Sequence, residues 1–309
     1  MSHTKYPEIE LLKQRSTLAI PASSPKLFEK GLRSGVDAIF MDLEDSVSPA
    51  DKIQARKNVI VALNELDWER SGVRPIVRIN GLDTEWMTRD VVDIMEQAGE
   101  YIDSLLVPMV GTPSDVYVVE AMLNQLEQQE NLNNIVGIEV IIETALGMSN
   151  VEEIAKRGSI NGRLEALHFG VGDYAASTES RTTSIGGIVN SYPFDQWHYA
   201  QARMTVAARS CGLRAIDGPF GDYSDAIGYQ QALDRASALG MEGKWAIHPS
   251  QVGLANDHFS PSEEEIEKAN KIIQLMDEAE EQGRGSASLD GEMIDIASLK
   301  MARNVLSKI

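Results

Sequence analysis

Only one cysteine, Cys211, occurs in the 309 residues. An internal disulfide is therefore excluded, which suits a reducing cytoplasm, and the context R-S-C-G-L offers no local pattern that would activate a thiol. Cys211 is expected as a small buried apolar residue. Long apolar runs are missing as well. No stretch approaches the roughly 18 consecutive apolar residues of a membrane span, and the opening M-S-H-T-K-Y-P-E-I-E lacks the basic-then-apolar order of a signal peptide. A soluble, cytoplasmic protein without a membrane partner is expected. Positive charge is scarce: 28 Lys and Arg against 47 Asp and Glu leave a formal charge of -19, which disfavours nucleic acid and anionic lipid as partners. The early bases Lys13, Arg15, Lys26, Lys30 and Arg33 are grouped, so a local site for a phosphorylated cofactor stays open. Finally, no G-x-S-x-G, C-x-x-C or H-E-x-x-H is present, and neither F-G-V-G-D nor I-G-G-I has dinucleotide or P-loop spacing. Hydride transfer and serine hydrolysis have no support.

What the chain does contain is alternation. Short apolar runs ending in polar or glycine-rich turns fall at 16–21, 37–44, 75–80, 104–110, 135–143, 166–173, 214–220 and 244–249, with amphipathic stretches of helical period between them. Such alternation of β and α units over roughly 250 residues predicts a (β/α)8 TIM barrel, with a doubly wound sheet as the alternative. The barrel is expected over residues 1–255 and a C-terminal helical arm over 256–309. In that arm S-P-S-E-E-E-I-E opens a serine-capped helix, Q-G-R-G-S-A-S-L-D-G reads as a flexible loop, and a last helix starts near Ile296. The arm reads either as a lid reaching a neighbouring subunit or as a packing helix.

In an α/β barrel the carboxyl ends of the strands carry the chemistry. Glu143 in I-I-E-T-A-L-G and Asp173 in F-G-V-G-D-Y each close an apolar run, one structural repeat apart. Two protein carboxylates with other positions left to water and substrate is the usual way to hold Mg²⁺; the alternative is that both are helix N-caps or loop acids. Asp42, Glu44 and Asp45 end the second run, Asp217 the seventh and His248 the eighth. Arg78 alternates with Val77 and Ile79 inside an apolar strand. A buried guanidinium needs an anionic partner, so Arg78 either forms a salt bridge with the strand-two acids or clamps a substrate carboxylate or enolate oxygen. His248, followed by Pro249, reads more simply as a structural hydrogen-bonder than as a base.

Six segments then align with a known pattern: R-S-x-L…P…K near the start, M-D-L-E-D-S-V-x-P-x-D-K-x-x-A-R (41–56), R-I-N-G-L-D-T (78–84), I-E-V-I-I-E-T-A-x-G (138–147), G-x-x-D-Y-A-A-S (170–177) and G-K-W-A-I-H-P-x-Q (243–251). Together they resemble the citrate lyase β-subunit-like CoA-ester lyases of the HpcH/HpaI aldolase/citrate lyase family, within it the malyl-CoA/β-methylmalyl-CoA lyases. The resemblance implies a Mg²⁺-dependent barrel, with Mn²⁺ as a possible substitute, that makes or breaks a carbon–carbon bond between an acyl-CoA and a 2-oxo acid. Citramalyl-CoA cleavage, an aldolase reaction on a free hydroxy-acid and thioester hydrolysis are the alternatives. It further implies Glu143 and Asp173 as metal ligands and Arg78 as the residue that orients the oxo acid and stabilises the enolate. Asp295 would be a proton donor brought by a neighbour's arm, and CoA contacts would come from Lys30 and from Ala246, Ile247 and His248. A homotrimer or homohexamer is expected. The chain departs from the pattern at Ala22, Ser24 and Met109, where relatives carry glycine, arginine and lysine, and in a shortened segment after T-T-S-I-G-G.

Overall fold

The computed structural model describes residues 12–159, 162–189 and 191–309; the opening segment read for a signal peptide lies outside the described residues, as does Asn190 in the shortened segment. Two compact units emerge, one over residues 14–256 and the other over 257–309 together with residues 12 and 13.

In the first unit eight strands, β1 (Ser16–Pro21), β2 (Ala38–Asp42), β3 (Arg74–Arg78), β4 (Ser104–Val107), β5 (Gly137–Ile142), β6 (Leu164–Phe169), β7 (Arg214–Asp217) and β8 (Gly243–Ala246), pair in parallel and close on themselves. Closure is made by β8 against β1, with Thr17 opposite Trp245. Helices such as Lys52–Glu65, Met87–Ala98, Pro113–Glu130 and His198–Ser210 connect the strands. The expected (β/α)8 barrel is the observed fold.

Side chains alternate across a strand, and that period sorts the barrel interior into layers. Along β3 the inward residues are Arg74, Ile76 and Arg78; along β5 and its end they are Glu139, Ile141 and Glu143. The middle layer is apolar, built from Phe40, Ile76, Leu106, Ile141, Ala166, Ile216 and Trp245. Below it, at the amino ends of the strands, Glu139 is fully buried and accepts from Arg214 Nη2 at 2.9 Å, Gln14 Nε2 at 2.9 Å and His168 Nε2 at 2.6 Å. Arg74 and Arg214 also meet Glu165 at 3.1 and 2.8 Å. Burial alone would raise the Glu139 carboxyl, but the His168 hydrogen bond and the Arg214 charge hold it well below the usual carboxylate range. This polar plug closes the lower end. Above the apolar layer Asp42, Arg78 and Glu143 face the opposite end.

The second unit has its own small core of Met276, Ile294 and Leu299. Its long helix, Glu263–Glu281, starts at a capping box between Ser262 and Glu265, and three glutamates in the first turn face the positive end of the helix dipole. The tract expected as a flexible loop is instead partly a hairpin: β9 (Ala287–Leu289) pairs antiparallel with β10 (Glu292–Ile294). Asp290 and Gly291 turn the chain at φ 51° and 87°, the left-handed pair that a tight Asp-Gly hairpin requires. The last helix runs Ile296–Leu306.

Candidate active site

Asp42 holds Arg78 in a fork, with Nε and Nη2 each 2.7 Å from a carboxylate oxygen. A bidentate pair sets the direction in which the guanidinium points. Ser46 donates to the same carboxylate from its amide, and the Glu44 amide caps the other oxygen at 2.9 Å. Burial would raise Asp42, but Arg78 outweighs it and the carboxyl stays below its ordinary range. The salt-bridge reading of Arg78 is thus observed, and the clamp reading is compatible with it because Arg78 still lines the cavity above. Arg78 is 8% exposed, and its guanidinium lies over the rings of Phe40 and Trp245, at 5.6 and 5.9 Å.

Glu44 sits differently. Arg78 Nη1 comes within 2.7 Å of Glu44 Oε2, yet that buried oxygen has no hydrogen bond. The contact is an ion pair out of alignment, and angle decides whether proximity becomes a hydrogen bond. Burial and the neighbouring Asp45, Asp42 and Asp173 push Glu44 up to about 7 against the pull of Arg78.

Glu143 follows directly on β5 and is buried; its Oε1 accepts the Met109 amide at 2.6 Å. Met109 presents that amide from a left-handed backbone, φ 57°, a conformation a non-glycine residue adopts at a cost of roughly 1 kcal/mol or more. Burial first, then Glu44 and Asp173, push Glu143 up to about 8. Asp173 is placed otherwise than expected: β6 ends at Phe169, and Asp173 lies in the first turn of the helix Val171–Ser177. Its carboxyl is raised by partial burial and by Asp45. Neither acid is an N-cap, for Thr144 and Gly170 hold those positions. Gly170 is needed where it stands, since a Cβ there would meet Glu143 Cβ at 2.4 Å and Oε2 at 2.5 Å.

Arg78, Glu143, Asp173 and Ile247 line one cavity of about 420 Å³, together with Asp42, Asp45, Phe40, Ile185 and Trp245. Its polar side carries more carboxylates than cations, and the buried Glu44 nearby adds to the charge that raises Glu143. The residues fit a divalent cation: raised carboxyls that crowd one another are relieved by a bound charge. Glu143 and Asp173 offer two oxygen donors, the kind of partial protein coordination that Mg²⁺ takes while keeping several waters.

Within the first unit, Lys30, Ala246 and His248 do not line that cavity. Lys30 is exposed on the helix Lys26–Leu32, and Ala246 is buried in β8. His248 accepts the Ser250 amide at 3.2 Å, close to the Ser250 hydroxyl at 2.8 Å, and stacks on Tyr223 with centroids 4.7 Å apart. Asp295 belongs to the second unit, where it caps the last helix through the Ala297 and Ser298 amides. Ala22 is fully buried, its amide bonded to the Asp42 carbonyl at 2.9 Å.

Other residues in the 41–56 segment position the site without reaching it. Lys52 Nζ donates to the carbonyls of Leu43 and Glu44, both at 2.7 Å, and pins the turn that carries Glu44. Arg56 binds Asp90, which in turn accepts from the Asn80 amide and side chain just beyond Arg78. Asp42, Lys52 and Arg56 were all in the sequence, but their meaning depended on partners from other elements.

The HpcH/HpaI aldolase/citrate lyase family matches residues 15–249, which span the whole barrel. The chain belongs to this family. Among curated relatives, an L-malyl-CoA/beta-methylmalyl-CoA lyase from Cereibacter sphaeroides is 46% identical over 94% of this chain and 93% of its own. A (3S)-malyl-CoA thioesterase from the same species is 35% identical over 95% and 94%. Among solved structures, CitE from Mycobacterium tuberculosis, crystallised with magnesium, acetoacetate and coenzyme A, superposes with a TM-score of 0.75 at 24% identity, covering 95% of this chain and 97% of that one; at that identity the likeness speaks to the fold. Among the described residues no helix is long and apolar enough to cross a membrane.

Proposed function

We propose that this protein is a Mg²⁺-dependent CoA-ester lyase that reversibly cleaves malyl-CoA or β-methylmalyl-CoA to glyoxylate and acetyl-CoA or propionyl-CoA. The observation that carries the reading is the meeting of Arg78, Glu143 and Asp173 in one cavity of a chain 46% identical to a lyase of that name. Glu143 and Asp173 would hold the cation, which when bound supplies Lewis-acid polarisation of substrate oxygens. Cleavage turns a hydroxyl into a carbonyl, its proton passing to solvent, and the electron pair of the broken carbon–carbon bond stays on the thioester half as an enolate. Arg78, kept charged by Asp42 and lining the cavity, would stabilise the enolate oxygen. The enolate must then take a proton to leave as acyl-CoA, and Asp295, at the position matching the family's donor, is assigned that role. In the family the donor comes from a neighbouring copy, so we assign this enzyme a homotrimeric or homohexameric active form. The CoA moiety is longer than the cavity: Ile247 on the cavity wall and Lys30 and His248 beyond it are assigned to its path, with buried Ala246 holding the strand end that leads to Ile247.

A second reading, hydrolysis of the thioester, is favoured by the 35% identical thioesterase. One assay separates them. Malyl-CoA, β-methylmalyl-CoA and citramalyl-CoA are incubated separately with Mg²⁺, and glyoxylate or pyruvate and free thiol are followed, with EDTA controls. Oxo acid without thiol, abolished by EDTA, is the expected result. Free thiol without oxo acid would establish the hydrolase, and no product from any ester would overturn both.

A further inference from the structure

The polar plug and the active site are joined by a single column of side chains through the apolar layer. Trp245 lines the cavity and is 5% exposed. Its indole nitrogen donates to His168 Nδ1 at 2.7 Å. An indole N–H can only donate, so Nδ1 is the acceptor and the imidazole proton sits on Nε2. That proton is given to Glu139 Oε2 at 2.6 Å. His168 and Glu139 are both fully buried, and Glu139 is anchored by Arg214, Gln14 and, at 3.3 Å, the Ser104 hydroxyl. Every link from the plug to the indole is therefore a directional hydrogen bond between buried groups. Above the column, Trp245 packs on Phe40 with centroids 4.6 Å apart and rings tilted by 56°, and Arg78 lies over both rings.

We propose that Trp245 is a positioning residue for Arg78: its indole, moored to His168 and through it to Glu139, holds the guanidinium in the plane from which it meets the substrate. Asp42 holds two of the guanidinium donors and Glu44 lies 2.7 Å from the third nitrogen, edge contacts that leave the flat faces of the group freedom to rock. The two tilted rings remove that freedom, since an Arg over aromatic faces is attracted to the ring and stopped by it. An indole that had only packing to hold it could swing; one tied at its nitrogen cannot. The sequence has a reason for a tryptophan here, because phenylalanine would supply the face and not the tether.

The proposal rests on the reading of Arg78 as the residue that stabilises the enolate. Three variants test it in the full-length enzyme: Trp245→Phe keeps a ring and loses the tether, Trp245→Leu loses both, and His168→Leu loses the tether alone. The expected order of kcat is wild type, then Trp245→Phe, then Trp245→Leu, the last down by about tenfold or more, with KM for the acyl-CoA changed by less than about threefold because the ring does not carry the binding energy. Combined with Trp245→Phe, His168→Leu should cost much less than it does in the wild-type background, as expected of residues acting in series. A purely structural role would lower the melting temperature and leave the kcat of the folded fraction unchanged; that result, or a loss confined to KM, would overturn the proposal. If His168→Leu does not fold, the two Trp245 variants still decide. A crystal structure of Trp245→Leu gives a readout that needs no substrate: the Arg78 guanidinium should leave its present plane, and an unmoved guanidinium would refute the positioning role. Absence of lyase turnover in the wild type would instead count against the functional reading.

Discussion

Glu143 and Glu44 bind protons more tightly in the fold than an ordinary glutamate, with values pushed up to about 8 and about 7 from 4.5. The stability they contribute without a cation is complete below the unfolded value near 4.5 and is lost as pH rises through about 7 to 8. A divalent cation must displace those protons, so its affinity rises over the same window. Saturating Mg²⁺ should accordingly raise the melting temperature more at about pH 9 than at about pH 6, a difference readable by differential scanning fluorimetry; an equal shift at both would mean that the two carboxyls do not face the ion. Gly170 makes a second prediction at this scale. Because an alanine Cβ would lie 2.4 Å from Glu143 Cβ, Gly170→Ala should cost about 1–3 kcal/mol in denaturant unfolding. It should also remove most of the Mg²⁺-dependent stabilisation, since Glu143 must move.

Strand periodicity explains which parts of the site were legible. Arg78 and Glu143 stand at inward positions of β3 and the end of β5, where an alternating pattern puts a charge among apolar residues, and both were found. Asp173 was found for a partly wrong reason, since the apolar run through Val171 is a strand and then a helix turn, which apolarity alone does not separate. Glu139 and Arg74 follow the same period two layers down, but their meaning lies in partners 75 and 65 residues away along the chain, which no local pattern shows. The hairpin in the second unit carried a readable signal, Asp290-Gly291 between short apolar stretches, masked by the surrounding glycine and serine. For the last helix, Asp295 has a structural task beside its proposed chemical one. Asp295→Asn should keep the cap and the stability while abolishing turnover, whereas Asp295→Ala should lose turnover and about 1 kcal/mol of helix stability. Equal activity of Asn and wild type, by steady-state assay, would end the proton-donor assignment.

The whole molecule carries a formal charge of -19, while the cavity gathers carboxylates around one arginine, so long-range attraction favours the cation more than the anionic thioester. Raising ionic strength should then weaken Mg²⁺ binding more than it weakens acyl-CoA binding. If active sites are completed between copies, inactive Asp295→Ala and inactive Arg78→Ala proteins should regain part of the activity when mixed under conditions that allow subunit exchange. No recovery despite proven exchange would make each copy self-sufficient. The polar plug has a kinetic meaning of its own. A barrel sealed below by Glu139, Arg74 and Arg214 and filled above them by an apolar layer is a well with a floor, and the two products of a cleavage made inside it share one way out. Their departure becomes a queue, with the fragment nearer the rim leaving before the fragment it covers, and product inhibition will carry the signature of that order.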